Sequence, residues 1–301
     1  MGCPTPRRSH FMDNQAEFEF LIRFQQGERD FRQVNMPGFV LPEADLQEID
    51  WRGANLVGVD LSNANLAGAN FREARLQKAN LSNTNLMTTN FIGANLAGAN
   101  LTGSNLSNAS LRGANLVGSC LQYTELVGAN FSEANVSNSD FSGSKAVGSI
   151  FSRAKAIRAL MVGVDFTNAN LTNAVLTEAY IHHCKFVNAT LTGITLEHAQ
   201  GMQVDFTGAA LLGSNLRGAN LQGANLRRAN LNWCSLRETN LADARLFRTQ
   251  LNWSNLAGAS LVNALLIDAN LHRANLSGTD LTGANLSGAT LPDGSVGQLP
   301  S

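Results

Sequence analysis

The feature that most constrains this chain is an apolar residue at every fifth position. The series runs from Leu46 to Leu291, and Gly201 is its one member that is not apolar. Leu fills most of these central positions, and Phe fills most of the others. A small residue usually lies two places earlier, and Asn or Asp usually comes directly before the central residue. No insertion breaks this frame, so one local geometry must repeat along most of the chain.

A period of five fits neither a helix, which repeats every 3.6 residues, nor a strand, which repeats every two. Each unit is therefore predicted to form one straight side and one corner, with the central and small residues pointing inward. Successive coils would lie about 4.8 Å apart, the usual spacing of paired strands. Small residues are required because the enclosed space is narrow once a Leu or Phe from every side has entered it.

These units, written A-N-L-x-G as in residues 64–68, resemble the pentapeptide-repeat family over about five-sixths of the chain. The resemblance implies an all-β solenoid, a right-handed quadrilateral β-helix with four five-residue sides in each coil. The repeat then predicts about 13 coils and a rod on the order of 60 Å long.

Charged residues spaced by twenty support such a coil independently of the family. Their signs alternate along the chain, which predicts one column of opposite charges. Exposed ion pairs contribute only about 0–1 kcal/mol each, so this charge ladder would set register more than stability. Its members are Glu125, Lys145, Asp165, Lys185 and Asp205.

The two ends depart from the repeat, and a solenoid needs covered ends. Residues 1–13 are expected to be a disordered or artefactual tail, and residues 14–30 a capping helix. Residues 31–45 are expected to be degenerate first repeats, 46–291 the β-helix, and 292–301 a C-terminal tail that turns at Asp293-Gly294 and is loose from residue 295. Phe18, Leu21 and Ile22, with Phe24, are predicted to share one helical face, and Gly27 to end the helix. Both ends are similar to those of cyanobacterial members of the family.

Residues for catalysis or metal binding do not converge in this pattern. The pair His182 and His183 lacks the Cys or carboxylate partners that would complete a metal site. Cys184 and Cys234 occupy the small inward position, so they are interpreted as substitutes for Ala. We therefore expect no enzymatic activity, no cofactor and no metal. The absence of a long apolar run and the sparse cysteines favour a cytoplasmic protein without a membrane anchor.

Charge is distributed unevenly along a nearly neutral chain. Residues 1–50 hold five basic and nine acidic groups, whereas residues 211–275 hold seven arginines and three acids. Within the basic section, Trp233, Trp253 and Arg273 lie twenty apart at an outward position, which allows a cation–π contact. Exposed Trp beside Arg is typical of interaction hot spots. Two further pairs would stack on neighbouring columns: Arg228 with Arg248, and Arg217 with Arg237.

These observations predict a non-enzymatic, rod-like scaffold or regulator that binds an unknown protein, with a regulatory protein as the candidate partner. We expect it to be a monomer, with a dimer left open, and not to bind nucleic acid, because its charge is near neutral. The partner would contact either the Trp and Arg face or the acidic N-terminal end. The resemblance also leaves open a DNA-mimicking gyrase or topoisomerase inhibitor or protector, although such proteins need strongly negative surfaces. A purely structural role is the third alternative.

Overall fold

The computed structural model describes residues 14–297, and the predictions for residues 1–13 and 298–301 lie outside the described residues. The chain divides into two compact units, Met1–Lys145 and Ala146–Ser301. Each unit is described by itself. Within residues 14–297, no helix is both long and apolar enough to cross a membrane.

The first unit begins with a single helix, α1, at Asn14–Gln25. Gly27 ends it in a left-handed conformation, with a φ of +98°. The Gly27 N–H donates to the Phe24 carbonyl at 3.0 Å, and the Glu28 N–H donates to the Arg23 carbonyl at 3.1 Å. This pair of bonds is a Schellman motif, which satisfies carbonyls that the helix leaves unpaired. Helix α1 therefore ends before residue 30, where the first repeat already begins.

Helix α1 packs on the first coil through Phe20 and Phe24, which are both buried. The Phe20 ring lies 4.7 Å from that of Phe31 and 5.8 Å from that of Trp51. The predicted apolar face was wrong in two of its members, because Phe18 is 64% exposed and Ile22 is also exposed. Rings of the first and second coils select the buried face of the helix, and hydrophobic spacing within the helix did not reveal it.

Isolated parallel bridges between residues twenty apart replace continuous strands in both units. In the first unit they run from Asp30–Asp50 to Glu125–Lys145, and they include the degenerate repeats of residues 31–45. In the second unit they run from Ile150–Asn170 to Asn270–Thr290. Backbone bonds join successive coils, such as that from the Trp51 N–H to the Asn70 carbonyl at 2.8 Å.

Corners have one backbone conformation throughout. The first turn residue follows the central residue, and the second turn residue has a φ between +54° and +74° at every fifth position from Gln33 to Gly288. A bond such as that from the Ala54 N–H to the Trp51 carbonyl, at 3.1 Å, closes the turn. Positive φ at this position is the mark of a type II turn and favours glycine. This requirement explains the glycine of the A-N-L-x-G unit.

Central and small residues line the interior, as the repeat predicted. Aromatic rings stack along the columns, with Phe71 and Phe91 at 4.8 Å and Phe186 and Phe206 at 5.1 Å between ring centroids. Gly201 leaves a gap in the series of central residues that its neighbours close. A Cβ atom there would lie 3.0 Å from side-chain carbons of both Ile181 and Leu221.

The C-terminal end of the second unit folds back on itself. Val296 forms an antiparallel bridge with Thr290, and the Leu291 N–H donates to the Ser295 carbonyl at 2.8 Å. The prediction of a loose tail was therefore wrong for residues 295–297. Asp293 starts this reversal, because its carboxylate accepts bonds from the backbone N–H and the hydroxyl of Ser295.

Candidate interaction surface

One corner of the second unit carries an exposed aromatic column made of Trp233, Trp253 and Arg273. The two indole rings are parallel within 4°, and their centroids are 5.0 Å apart. The Arg273 guanidinium lies over the Trp253 ring at 4.4 Å. Trp233 is 60% exposed and Trp253 is 43% exposed. A stacked pair of indoles is thus held rigidly at the surface, which is the arrangement that a protein partner can use with little ordering cost.

The backbone at these three residues is unfavourable for any side chain except glycine. Their φ values are +62°, +60° and +59°, and the left-handed region costs an L-residue roughly 1–2 kcal/mol. Many equivalent corners of the chain carry glycine instead. Other corners carry side chains other than glycine at the same φ, so it is the exposed, stacked rings that distinguish this corner, not its backbone.

Arginines border the aromatic column on both sides. Arg228 and Arg248 occupy the corner that precedes it along each coil, and Arg217 and Arg237 occupy the corner that follows it. Arg248 faces Asp268 at 3.4 Å, and Arg217 faces Glu238 at 3.5 Å. Within residues 14–297, the Arg228 and Arg237 side chains form no ion pair or hydrogen bond. The seven residues predicted from spacing thus lie on three successive corners.

A groove beside Arg228 was not predicted from the sequence. It has a volume of about 670 Å³, and its walls include Phe247 and Ile267. The Arg227 guanidinium lies over the Phe247 ring at 5.1 Å. The spacing of twenty between Arg227 and Phe247 was a signal for this contact, but the groove itself depends on how the long arginine side chains lie.

The charge ladder appears in each unit separately. In the first unit, the Lys145 ammonium contacts the Glu125 carboxylate at 2.7 Å. In the second unit, Lys185 lies 4.0 Å from Asp165 and is bridged through the backbone to Asp205. Both aspartates also accept a bond from the backbone N–H two residues later. The carboxylates therefore support the next corner as well as the column.

Three acidic groups near the N-terminus, Glu28, Asp30 and Asp50, pair with arginines. Arg32 contacts Asp30 at 2.5 Å, and Arg52 contacts Asp50 at 2.6 Å. Hydrogen bonding to Arg32 lowers the pKa of Asp30 to about 2. Glu43, Asp45 and Glu48 form no ion pair among the described residues, so the acidic end keeps negative charge and stays a second candidate surface.

Groups with reactive or metal-binding potential are dispersed. In the part of the chain that the structure describes, no three His, Cys, Asp or Glu residues gather where a metal ion could bind. The His182 Nδ1 accepts a bond from the Met202 N–H at 3.2 Å, and burial lowers the pKa of this histidine. Cys184 and Cys234 point inward, and burial raises the pKa of each thiol to about 12.

The coil of five-residue sides, with type II corners and parallel bridges at a spacing of twenty, defines a solenoid of pentapeptide units. The family model for pentapeptide repeats matches in overlapping segments from residue 54 to residue 288. The chain belongs to the pentapeptide-repeat family, and its coils are those of a right-handed quadrilateral β-helix.

Three solved structures illustrate the similarity. HetL, a pentapeptide repeat protein involved in heterocyst differentiation regulation from the cyanobacterium Nostoc sp. Strain PCC 7120, is 28% identical over 93% of this chain and 98% of its own, with a TM-score of 0.31. Rfr23 from the cyanobacterium Cyanothece 51142 is 27% identical over 42% of this chain and 99% of its own, with a TM-score of 0.40. QnrB1, a plasmid-mediated fluoroquinolone resistance protein, is 22% identical over 62% and 88%, with a TM-score of 0.28. No curated protein sequence gives a significant match.

Proposed function

We propose that this protein is a non-enzymatic interaction scaffold that binds a protein partner through the aromatic column of Trp233, Trp253 and Arg273. The observation that carries the proposal is the stacked, exposed indole pair held at two left-handed corners. Trp and Arg are the residue types most enriched at interaction hot spots, where truncation of one residue costs 2 kcal/mol or more. The bordering arginines add electrostatic steering of an acidic partner.

Charge distinguishes this proposal from DNA mimicry. A mimic of duplex DNA needs a strongly negative surface, whereas residues 211–275 hold seven arginines and three acids. The aromatic column lies within this basic section. A purely structural role does not require two exposed, stacked tryptophans with an arginine over them.

Double substitution of Trp233→Ala and Trp253→Ala tests the proposal. The matched control is Tyr123→Ala, since Tyr123 is an aromatic residue at an equivalent corner, with a φ of +56° and 70% exposure. Each purified variant is immobilised, and proteins captured from a lysate of the source organism are quantified by mass spectrometry. We expect at least one protein retained by the native chain and by Tyr123→Ala to fall tenfold or more with the double variant. An unchanged set of captured proteins would contradict the proposal.

A further inference from the structure

Corner side chains in this fold lean over the corner twenty residues later. The Tyr123 ring reaches to 2.7 Å from the point where a Cβ atom of Gly143 would lie. In the second unit, the His198 ring covers Gly218 in the same way, with its Nδ1 at 2.5 Å from that point. A side chain at one corner therefore covers its neighbour, and a glycine leaves the next corner uncovered.

Two successive glycines precede the aromatic column. Gly193 has no side chain to lean over Gly213, and a Cβ atom at Gly213 would meet nothing within 4 Å. Gly213 in turn has no side chain to lean over Trp233. One face of the Trp233 ring packs on Trp253, and within the described residues no other ring or cation lies on its second face. The column thus has an open end, with a slot between Gly213 and Trp233.

The spacing of the stacked rings and the charge around the slot indicate which kind of side chain can bind there. The stacked rings of Trp233 and Trp253 are 5.0 Å apart, close to the spacing of about 4.8 Å between coils. A further flat group between Gly213 and Trp233 would continue the stack at the same spacing. An incoming arginine would be disfavoured, because residues 211–275 hold seven arginines and three acids. An aromatic side chain flanked by carboxylates satisfies both the ring and the arginines.

We propose that the slot between Gly213 and Trp233 binds an aromatic side chain within an acidic segment of a protein partner. This inference rests on the proposed function and specifies the chemical class of the partner segment. The aromatic ring stacks on the free face of Trp233, and its flanking carboxylates pair with arginines of the basic section, residues 211–275.

Synthetic peptides test the chemistry directly. The first has one phenylalanine between two pairs of glutamates, the second has alanine in place of phenylalanine, and the third has lysines in place of glutamates. Binding to the full chain is followed by NMR through the indole N–H signals, which are assigned with Trp233→Phe and Trp253→Phe. We expect the first peptide to shift the Trp233 signal more than the Trp253 signal, and each of the others to bind at least tenfold more weakly. Equal binding of the phenylalanine and alanine peptides would overturn the proposal.

The substitution Gly213→Asn places a side chain of the protein itself in the slot, so it should block binding there. Asparagine tolerates positive φ better than other residues, and several corners of this chain already carry it, including Asn63 and Asn83. Gly163→Asn is the matched control, because Gly163 also has a positive φ and nothing within 4 Å of its Cβ position. We expect Gly213→Asn to weaken binding of the phenylalanine peptide at least tenfold and Gly163→Asn to leave it within twofold. A loss of less than threefold with Gly213→Asn contradicts the slot.

The two proposals fail differently. If Gly213→Asn still captures the partner and the double variant Trp233→Ala and Trp253→Ala does not, the proposal of the slot is wrong and the proposed interaction through the aromatic column stands. Retention of the partner by both variants would overturn the proposed function and the slot together.

Discussion

At the scale of single residues, the corner determines which side chains this fold tolerates. The second turn residue of every corner from Gln33 to Gly288 has a positive φ, which favours glycine. Asn is the next best choice because its short polar side chain bonds locally in this region. The β-branched Thr88, with a φ of +58°, is among the least suitable residues for such a position.

Replacement of Thr88 by glycine is therefore expected to stabilise the protein. We expect Thr88→Gly to raise the free energy of unfolding by about 0.5–1 kcal/mol, since relief of the left-handed strain exceeds the extra entropy of glycine in the unfolded chain. Thr102→Gly is the control at a first turn residue, where φ is not positive, and it should lower that free energy by about 0.5–1 kcal/mol. Urea unfolding measures both, and equal effects of the two substitutions would contradict the assignment of the corners.

Inward cysteines provide a prediction about pH. Burial raises the pKa of Cys184 and Cys234 to about 12 from an ordinary value of 9.0. Their neutral form stabilises the fold fully below pH 9, and this contribution is lost as the pH rises toward 12. Replacing both by Ala should reduce the fall in the free energy of unfolding between pH 9 and 12.

At pH 8, mass spectrometry should find both thiols unmodified by an alkylating reagent unless denaturant is present, and rapid labelling of the native protein would show that they are not buried.

Asparagine has a role at this scale that the repeat alone did not explain. Asn80 Oδ1 accepts a bond from the Ser82 N–H at 3.3 Å, and its Nδ2 donates to Asp60 Oδ1 at 2.9 Å. The side chain thus supports the corner of its own coil and joins it to the coil before. The frequency of Asn was evident in the sequence, but its two bonds depend on the register between coils.

At the scale of the helix, the sequence predicted the existence and the end of α1 but not its packed face. Gly27 and its Schellman bonds follow from local chemistry. The choice of Phe20 over Phe18 depends on Phe31 and Trp51, which come from two successive coils. The apolar residues of α1 are spread around the helix, so its own pattern does not decide which side is buried.

Phe20→Ala is expected to detach helix α1 from the first coil. Loss of a buried Phe side chain costs about 3–5 kcal/mol, and in a solenoid the effect falls mainly on neighbouring coils. The Phe31 N–H, which donates to the Asp50 carbonyl at 2.9 Å, should lose protection from hydrogen exchange. Phe18→Ala serves as the exposed control and should change stability by less than about 0.5 kcal/mol. Comparable loss of protection in both variants would contradict the assigned face.

At the scale of the whole molecule, the spacing of twenty accounts for both fold and candidate surface. It predicted that Trp233, Trp253 and Arg273 share a column, and the structure stacks them. It did not predict the groove beside Arg228 or the slot at Gly213. These features depend on the direction of the corner side chains and on the absence of a side chain at two glycines. The repeat pattern in the sequence does not give the direction of the side chains.

Cross-linking across one face tests this register most directly. Asn230 and Gln250 are bridged in the second unit, and coils about 4.8 Å apart bring their Cα atoms within the 4.4–6.8 Å range of a disulfide. We expect Asn230→Cys with Gln250→Cys to form an intramolecular disulfide under mild oxidation, as mapped by mass spectrometry. Asn230→Cys with Asn255→Cys should not, because Asn255 is bridged to Ser235 and Asn275 on the next side of the coil. Failure of the first pair to cross-link, or equal cross-linking of the second, would contradict the twenty-residue column on which the account depends.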